Sequence, residues 1–215
     1  KSTRNGLLAM NCPVTDALSH LSNADPVLAQ LIKTHPEPAF VAHTNYYEEL
    51  VSSIISQQLS VKAAKAIQQR FMKLFDGTLP TPEQIVAANS EELRGVGLSR
   101  PKVSYIQDLA QKIMDSDVAF EGIEQLENLT IIMELTSVKG IGEWTVHMFL
   151  MFCMGRLDVL PHGDLGIRNG ITILYGFETT ATSEDVKQIA IKNNWHPYES
   201  VASHYVWQSL ENSPK

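Results

Sequence analysis

Apolar residues recur at helical spacing along almost the whole chain, and no stretch alternates in the manner of a strand. The pattern predicts two short helices within 14–33, interrupted at Asn23-Ala-Asp-Pro26, then a loop at Pro36 and Pro38. An amphipathic helix follows over 46–56 and breaks at Gln57-Gln58-Leu59. Ser60 is the expected N-cap of a helix over 61–75, with Ala63, Ala64, Ile67 and Phe71 on one face. After a turn at Leu79-Pro-Thr-Pro82, Thr81-Pro82-Glu83 opens a helix with Pro at its first position. A short helix at 90–94 ends at Gly95-Val-Gly97, and a longer one runs from Ser99 to Ser116 with Pro101 near its start. Helices over 126–135, 144–155, 165–175, 184–193 (capped by Thr182 or Ser183) and about 198–211 complete an all-α fold. No repeat, low-complexity tract or flexible linker divides the chain.

Two runs stand out from this background. In Leu135-Thr-Ser-Val-Lys-Gly-Ile-Gly-Glu-Trp-Thr-Val-His-Met148, a glycine turn at 140–142 separates two helical patterns. Glycines let a main chain come close to a bulky partner, and the N-terminus of the next helix offers N–H groups and a positive dipole end that suit a phosphate. By itself such a turn is more often only a tight, C-capped connection. The second run, Asp158-Val-Leu-Pro-His-Gly-Asp-Leu-Gly-Ile-Arg168, sets a carboxylate, Asp164, 22 residues beyond Gly142.

Taken together, the runs resemble the helix-hairpin-helix DNA glycosylase superfamily, and within it the alkylpurine class (3-methyladenine glycosylase II, AlkA-like). The resemblance implies a two-lobed helical fold with the active cleft between lobes. One lobe spans about 50–155, and about 1–49 plus 156–215 form the other. The stretch before Gln57 is too short for the β-rich N-terminal domain of some members.

The resemblance also implies roles. Asp164 is the expected catalytic residue, stabilising positive charge on the deoxyribose as the base departs and orienting water. It can also serve as an N-cap at 165. Asp158, the nearest competitor, reads as a loop or salt-bridge residue. Trp144 stands where bifunctional relatives carry a Schiff-base lysine, which implies a monofunctional enzyme that leaves an abasic site uncut. Trp144 and Trp207 match pocket tryptophans that would stack on a cationic base; core packing is the alternative for each.

Further roles fall on the surface that would meet DNA. Val138, Lys139, Gly140, Ile141, Gly142 and Thr145 form the expected phosphate-gripping hairpin, with Lys139 solvated or phosphate-facing. Gln57, Gln58 and Ser60, in Ile54-Ile-Ser-Gln-Gln-Leu-Ser-Val-Lys-Ala-Ala64, match a loop that enters the minor groove; solvent-facing glutamines at a helix break are the alternative. Leu98 is the expected apolar wedge for the gap left by a flipped nucleotide, beside Ser99, Arg100 and Lys102 as phosphate contacts. The carbonyls of Thr136, Val138 and Gly140 match a monovalent cation site (Na⁺ or K⁺); no other cofactor is expected. Two departures stand against the family pattern: Gly163 where many relatives are acidic, and Glu199 where many have Arg.

Composition qualifies this picture. The formal net charge of −7 is unusual for a DNA partner, but residues 57–114 carry eight basic and five acidic side chains, against six and fourteen in 115–215. Grip through backbone amides needs few basic residues, so affinity for undamaged DNA is expected to be modest and salt-sensitive. Cys12 and Cys153 cannot ligate a four-cysteine iron–sulfur cluster or frame disulfides, which fits a reducing intracellular compartment, the nucleus in a eukaryote. The seven histidines show no zinc spacing, no run is long enough to span a bilayer, and no signal peptide is visible. The expected partner is duplex DNA with alkylated bases or abasic sites, bound by a monomer. Two other readings stand beside the glycosylase: a non-enzymatic binder of abasic or distorted DNA, and an unrelated helical interaction module.

Overall fold

The computed structural model describes residues 14–211, and among them every regular element is helical. Cys12 lies outside the described residues. None of the described helices is long and apolar enough to cross a membrane. The chain divides into two units, a contiguous one of residues 41–156 and a discontinuous one from 1–40 and 157–215.

The discontinuous unit contains α1 (Val14–Ala24), α2 (Pro26–Thr34), α10 (Leu165–Tyr175), α11 (Ser183–Lys192) and α12 (Glu199–Glu211). Leu21, Leu28, Ile167, Ile171, Trp195 and Tyr205 are among its fully buried side chains. One buried charge sits in this apolar setting. Asp25 is 0% exposed and N-caps α2, its Oδ1 accepting from Val27 N at 2.9 Å and Leu28 N at 3.3 Å. Its Oδ2 accepts from Tyr175 Oη at 2.6 Å and from Trp195 Nε1 at 2.8 Å. A carboxylate is tolerated there because four donors replace its water. The hydroxyl of Tyr175 is pushed far above its usual range by burial first and by Asp25 second.

The contiguous unit contains α3 (Tyr46–Ser56), α4 (Val61–Leu74), α5 (Pro82–Ala87), α6 (Ser90–Gly95), α7 (Arg100–Met114), a 3₁₀ turn at Ile123–Gln125, α8 (Asn128–Thr136) and α9 (Glu143–Met148). Caps set the starts. Ser60 Oγ accepts from Ala63 N at 3.3 Å, Thr81 and Gln84 form a capping box ahead of Pro82, and Ser99 Oγ accepts from Lys102 N at 3.4 Å.

The single helix expected over 144–155 is in fact two segments. After α9 the chain winds more widely through a π-helical turn at Phe149–Cys153, closed by Met154 N to Phe149 O at 3.1 Å. Phe149, Leu150, Met151 and Cys153 are all buried there. The Cys153 thiol is pushed up to about 12, mainly by burial and further by the charge of Glu49, so it is an inert packing group.

Candidate functional site

In the contiguous unit the site is built on the α8–turn–α9 hairpin. Val138 and Ile141 are 1% and 3% exposed, so they anchor the turn from inside and offer a ligand only their main chain. Gly140 lies at φ +78°, and a Cβ on it would overlap the ring of Tyr105, so this position requires glycine twice over. Gly142 is the N-cap of α9, and no side chain caps it. The Thr145 side chain, expected among the DNA contacts, is 7% exposed and faces the interior. Trp144 is 51% exposed, which removes core packing as its explanation.

The turn is held by two neighbours that sequence reasoning did not connect to it. Asp108 on α7 accepts from Lys139 N at 2.9 Å and pairs with Lys139 Nζ at 3.1 Å. Burial alone would raise the Asp108 carboxyl, but the hydrogen bonds and charge of Lys139, with Lys112, hold it below the usual carboxylate range. Its contribution to the fold is therefore full above pH 3.8, the ordinary aspartate value, and fades as pH falls through the lowered one. Gln57 Nε2 donates to Gly140 O at 2.8 Å, so this amide reaches the hairpin, where a base edge or the DNA backbone was expected. Gln58 is exposed and sits in the left-handed region at φ 57°, a conformation that side chains rarely adopt.

Three further expectations meet a different geometry. Leu98 is 4% exposed, not a projecting wedge: Gly97 at φ +107° turns both Val96 and Leu98 inward. Extruding it would forfeit roughly 1.5–3 kcal/mol of apolar burial. Lys102 points its Nζ at Ile55 O (2.8 Å) and Gln57 O (2.7 Å), tying down the end of α3 instead of facing a phosphate, and burial holds its ammonium below the usual lysine value. The hydroxyls of Ser60 and Ser99 are engaged as caps. Arg100 is exposed, as a phosphate contact requires. Of the three carbonyls expected to meet a cation, that of Val138 accepts from Ile141 N (3.1 Å) and that of Gly140 from Gln57, so both are engaged by protein donors.

In the discontinuous unit, Asp164 is partly exposed and N-caps α10, its Oδ1 accepting from Ile167 N at 2.9 Å. The same oxygen accepts from Trp207 Nε1 at 2.8 Å. The indole expected only as a pocket wall therefore also aims the carboxylate. Gly166 makes this contact possible, because a Cβ there would come to 3.0 Å from both Asp164 Oδ1 and Trp207 Cδ1. The chain leading to Asp164 is fixed by Ser200, a fully buried residue that sequence reading passed over. Its Oγ accepts from Val159 N at 3.2 Å and its N donates to Leu157 O at 2.9 Å. Glu199, which departs from the family pattern, is turned to His196 Nδ1 at 3.0 Å.

The contiguous unit thus presents a glycine hairpin with an uncapped helix start and an exposed tryptophan beside it, and the discontinuous unit a carboxylate held by an indole. Residues 51–195 match the sequence model of the HhH-GPD superfamily base excision DNA repair protein. The chain belongs to the HhH-GPD superfamily. Among its relatives in that superfamily is DNA-3-methyladenine glycosylase 1 of Schizosaccharomyces pombe, 34% identical over 203 residues, covering 91% of this chain and 87% of the relative. Alkylbase DNA glycosidase-like protein mag2 of the same yeast is 28% identical over 197 residues, with 89% and 92% covered. The HhH-GPD fold is matched by a DNA-3-methyladenine glycosidase from Bacillus halodurans, with a TM-score of 0.83, 36% identity, and 95% of this chain and 92% of that one covered. The Schizosaccharomyces pombe enzyme Mag1 in complex with abasic DNA matches with a TM-score of 0.77 and 34% identity over 92% of this chain and 98% of that one.

Proposed function

We propose that this protein is a monofunctional DNA glycosylase that hydrolyses the N-glycosidic bond of alkylated purines in duplex DNA. The observation that carries the reading is Asp164, a partly exposed carboxylate at a helix start whose Oδ1 is held by Trp207 Nε1 at 2.8 Å. As the bond from C1′ to the base nitrogen breaks, the sugar gains positive charge that the carboxylate offsets. A cationic base departs neutral with the electron pair of the broken bond, water adds its oxygen to C1′, and the proton that water gives up passes through the Asp164 carboxylate to solvent. A base carrying an extra alkyl group is cationic, so it stacks on electron-rich rings, and the exposed indole of Trp144 is such a ring. Trp144 in the lysine position favours water as the nucleophile, and the product is an uncut abasic site.

The hairpin at 138–142 grips the backbone through main-chain N–H groups, with Arg100 as a side-chain contact and Gln58 as the projecting residue of the neighbouring turn. A monovalent cation at the hairpin would be held by the carbonyls of Thr136 and Val138 with a share of Gly140, and no chemical step depends on it. The test is release of free base from methylated duplex DNA, run beside binding to a duplex with an abasic-site analogue. Release of alkylated purines is the expected result. Tight analogue binding without any base release would favour the non-enzymatic reading instead.

A further inference from the structure

The two turns that would meet DNA, at 56–59 and 138–142, are far apart in sequence, yet one helix holds both. Lys102, Tyr105 and Asp108 of α7 are spaced three apart, so each is the surface neighbour of the next. Lys102 Nζ takes the carbonyls of Ile55 and Gln57. Asp108 takes the main-chain N–H and the ammonium of Lys139. Tyr105 lies against Gly140 so closely that no Cβ fits between them. The loop then closes, because Gln57 donates to Gly140 O.

We infer that α7 is a brace shared by both turns, with Lys102 and Asp108 as positioning residues, so that loosening either turn loosens the other. The DNA half of this inference rests on the function proposed above; the mechanical half does not. Neither residue touches the nucleic acid in this scheme. Lys102 acts through the Gln57–Gln58 turn and Asp108 through the hairpin. The sign of Lys102 matters as well as its reach. An ammonium at the end of α3 offsets the negative dipole end there, and its donors satisfy two carbonyls that the helix leaves without partners.

Amide hydrogen exchange of the free, full-length chain tests the mechanical half. Leu59 N, bonded to Ser56 O, reports on one turn, while Lys139 N and Ile141 N report on the other. Lys102→Met is expected to speed exchange at all three, by about tenfold at Lys139 and Ile141 despite the distance in sequence. Lys102→Arg, which keeps two donors, is expected to restore slow exchange. Acceleration confined to Leu59 overturns the brace. If Lys102→Met does not fold, Asp108→Ala is read instead: faster exchange at Leu59 is expected even when Gln57→Leu removes the direct link to Gly140, and an unmoved Leu59 overturns the brace. Binding to an abasic-analogue duplex tests the DNA half. Lys102→Met with Asp108→Ala should bind no more weakly than the weaker single variant, whereas losses that multiply mean independent turns. Wild-type protein with no preference for the abasic duplex would sink the proposed function and leave the exchange result to decide the brace.

Discussion

Asp25 and Asp164 are built from the same parts and sit in opposite surroundings. Each is the N-cap of a helix, and each accepts an indole N–H at 2.8 Å, from Trp195 and from Trp207. Asp25 is fully buried, and its donors fall on both oxygens. Asp164 is partly exposed, and the cap and indole bonds both fall on Oδ1. A cap and an indole therefore make a rigid carboxylate, and its surroundings decide whether the rigidity serves stability or chemistry. When every donor is internal the group becomes a rivet. Where the same grip leaves the group at the surface, it becomes the tool of the proposed reaction.

Three measurements press on that contrast. Asp25→Ala strands the donors of Tyr175, Trp195 and two main-chain amides, and should lower the unfolding free energy by about 4 kcal/mol, read from urea denaturation. A loss under 1 kcal/mol would dissolve the distinction between the two aspartates. Asp164→Asn should reverse the balance, cutting base release by about 10²–10³-fold while leaving stability nearly unchanged, since Asn caps almost as well as Asp. Equal rates in the two proteins would remove Asp164 from the chemistry. The smallest effects come from swapping the indoles for rings that lack the donor. Trp207→Phe should slow base release by roughly tenfold in kcat with a smaller change in KM. Trp195→Phe should leave kcat alone and lower stability by about 1–2 kcal/mol. The opposite assignment would mean that the Trp207 bond is structural.

Much of the fold was readable because helix starts are chemical events. Ser60, Thr81-Pro82, Ser99 and Thr182 each cap the helix that periodicity predicts. The π-helical turn at Phe149–Cys153 was not readable, because a run apolar at nearly every position carries no phase from which a wider winding can be told. At the site, the hairpin glycines and Asp164 were legible from spacing and family likeness, whereas the contacts that orient them were not. Lys139 meets Asp108 across 31 positions and Asp164 meets Trp207 across 43, and nothing local marks either pair. Leu98 was misread for a related reason. Irregular backbone has no period, so only the positive φ of Gly97 reveals that this leucine faces inward.

The rivet at Asp25 also imposes an order on the making of the protein. Its hydroxyl and indole donors arrive 150 and 170 residues after it on the growing chain. The ribosome thus delivers α1 and α2 long before α12 exists to pack on them, while residues 41–156 follow as one uninterrupted stretch that carries partners as distant as His43 and Cys153 within itself. The middle of the polypeptide is set to close first, and the opening segment waits for the tail that completes it.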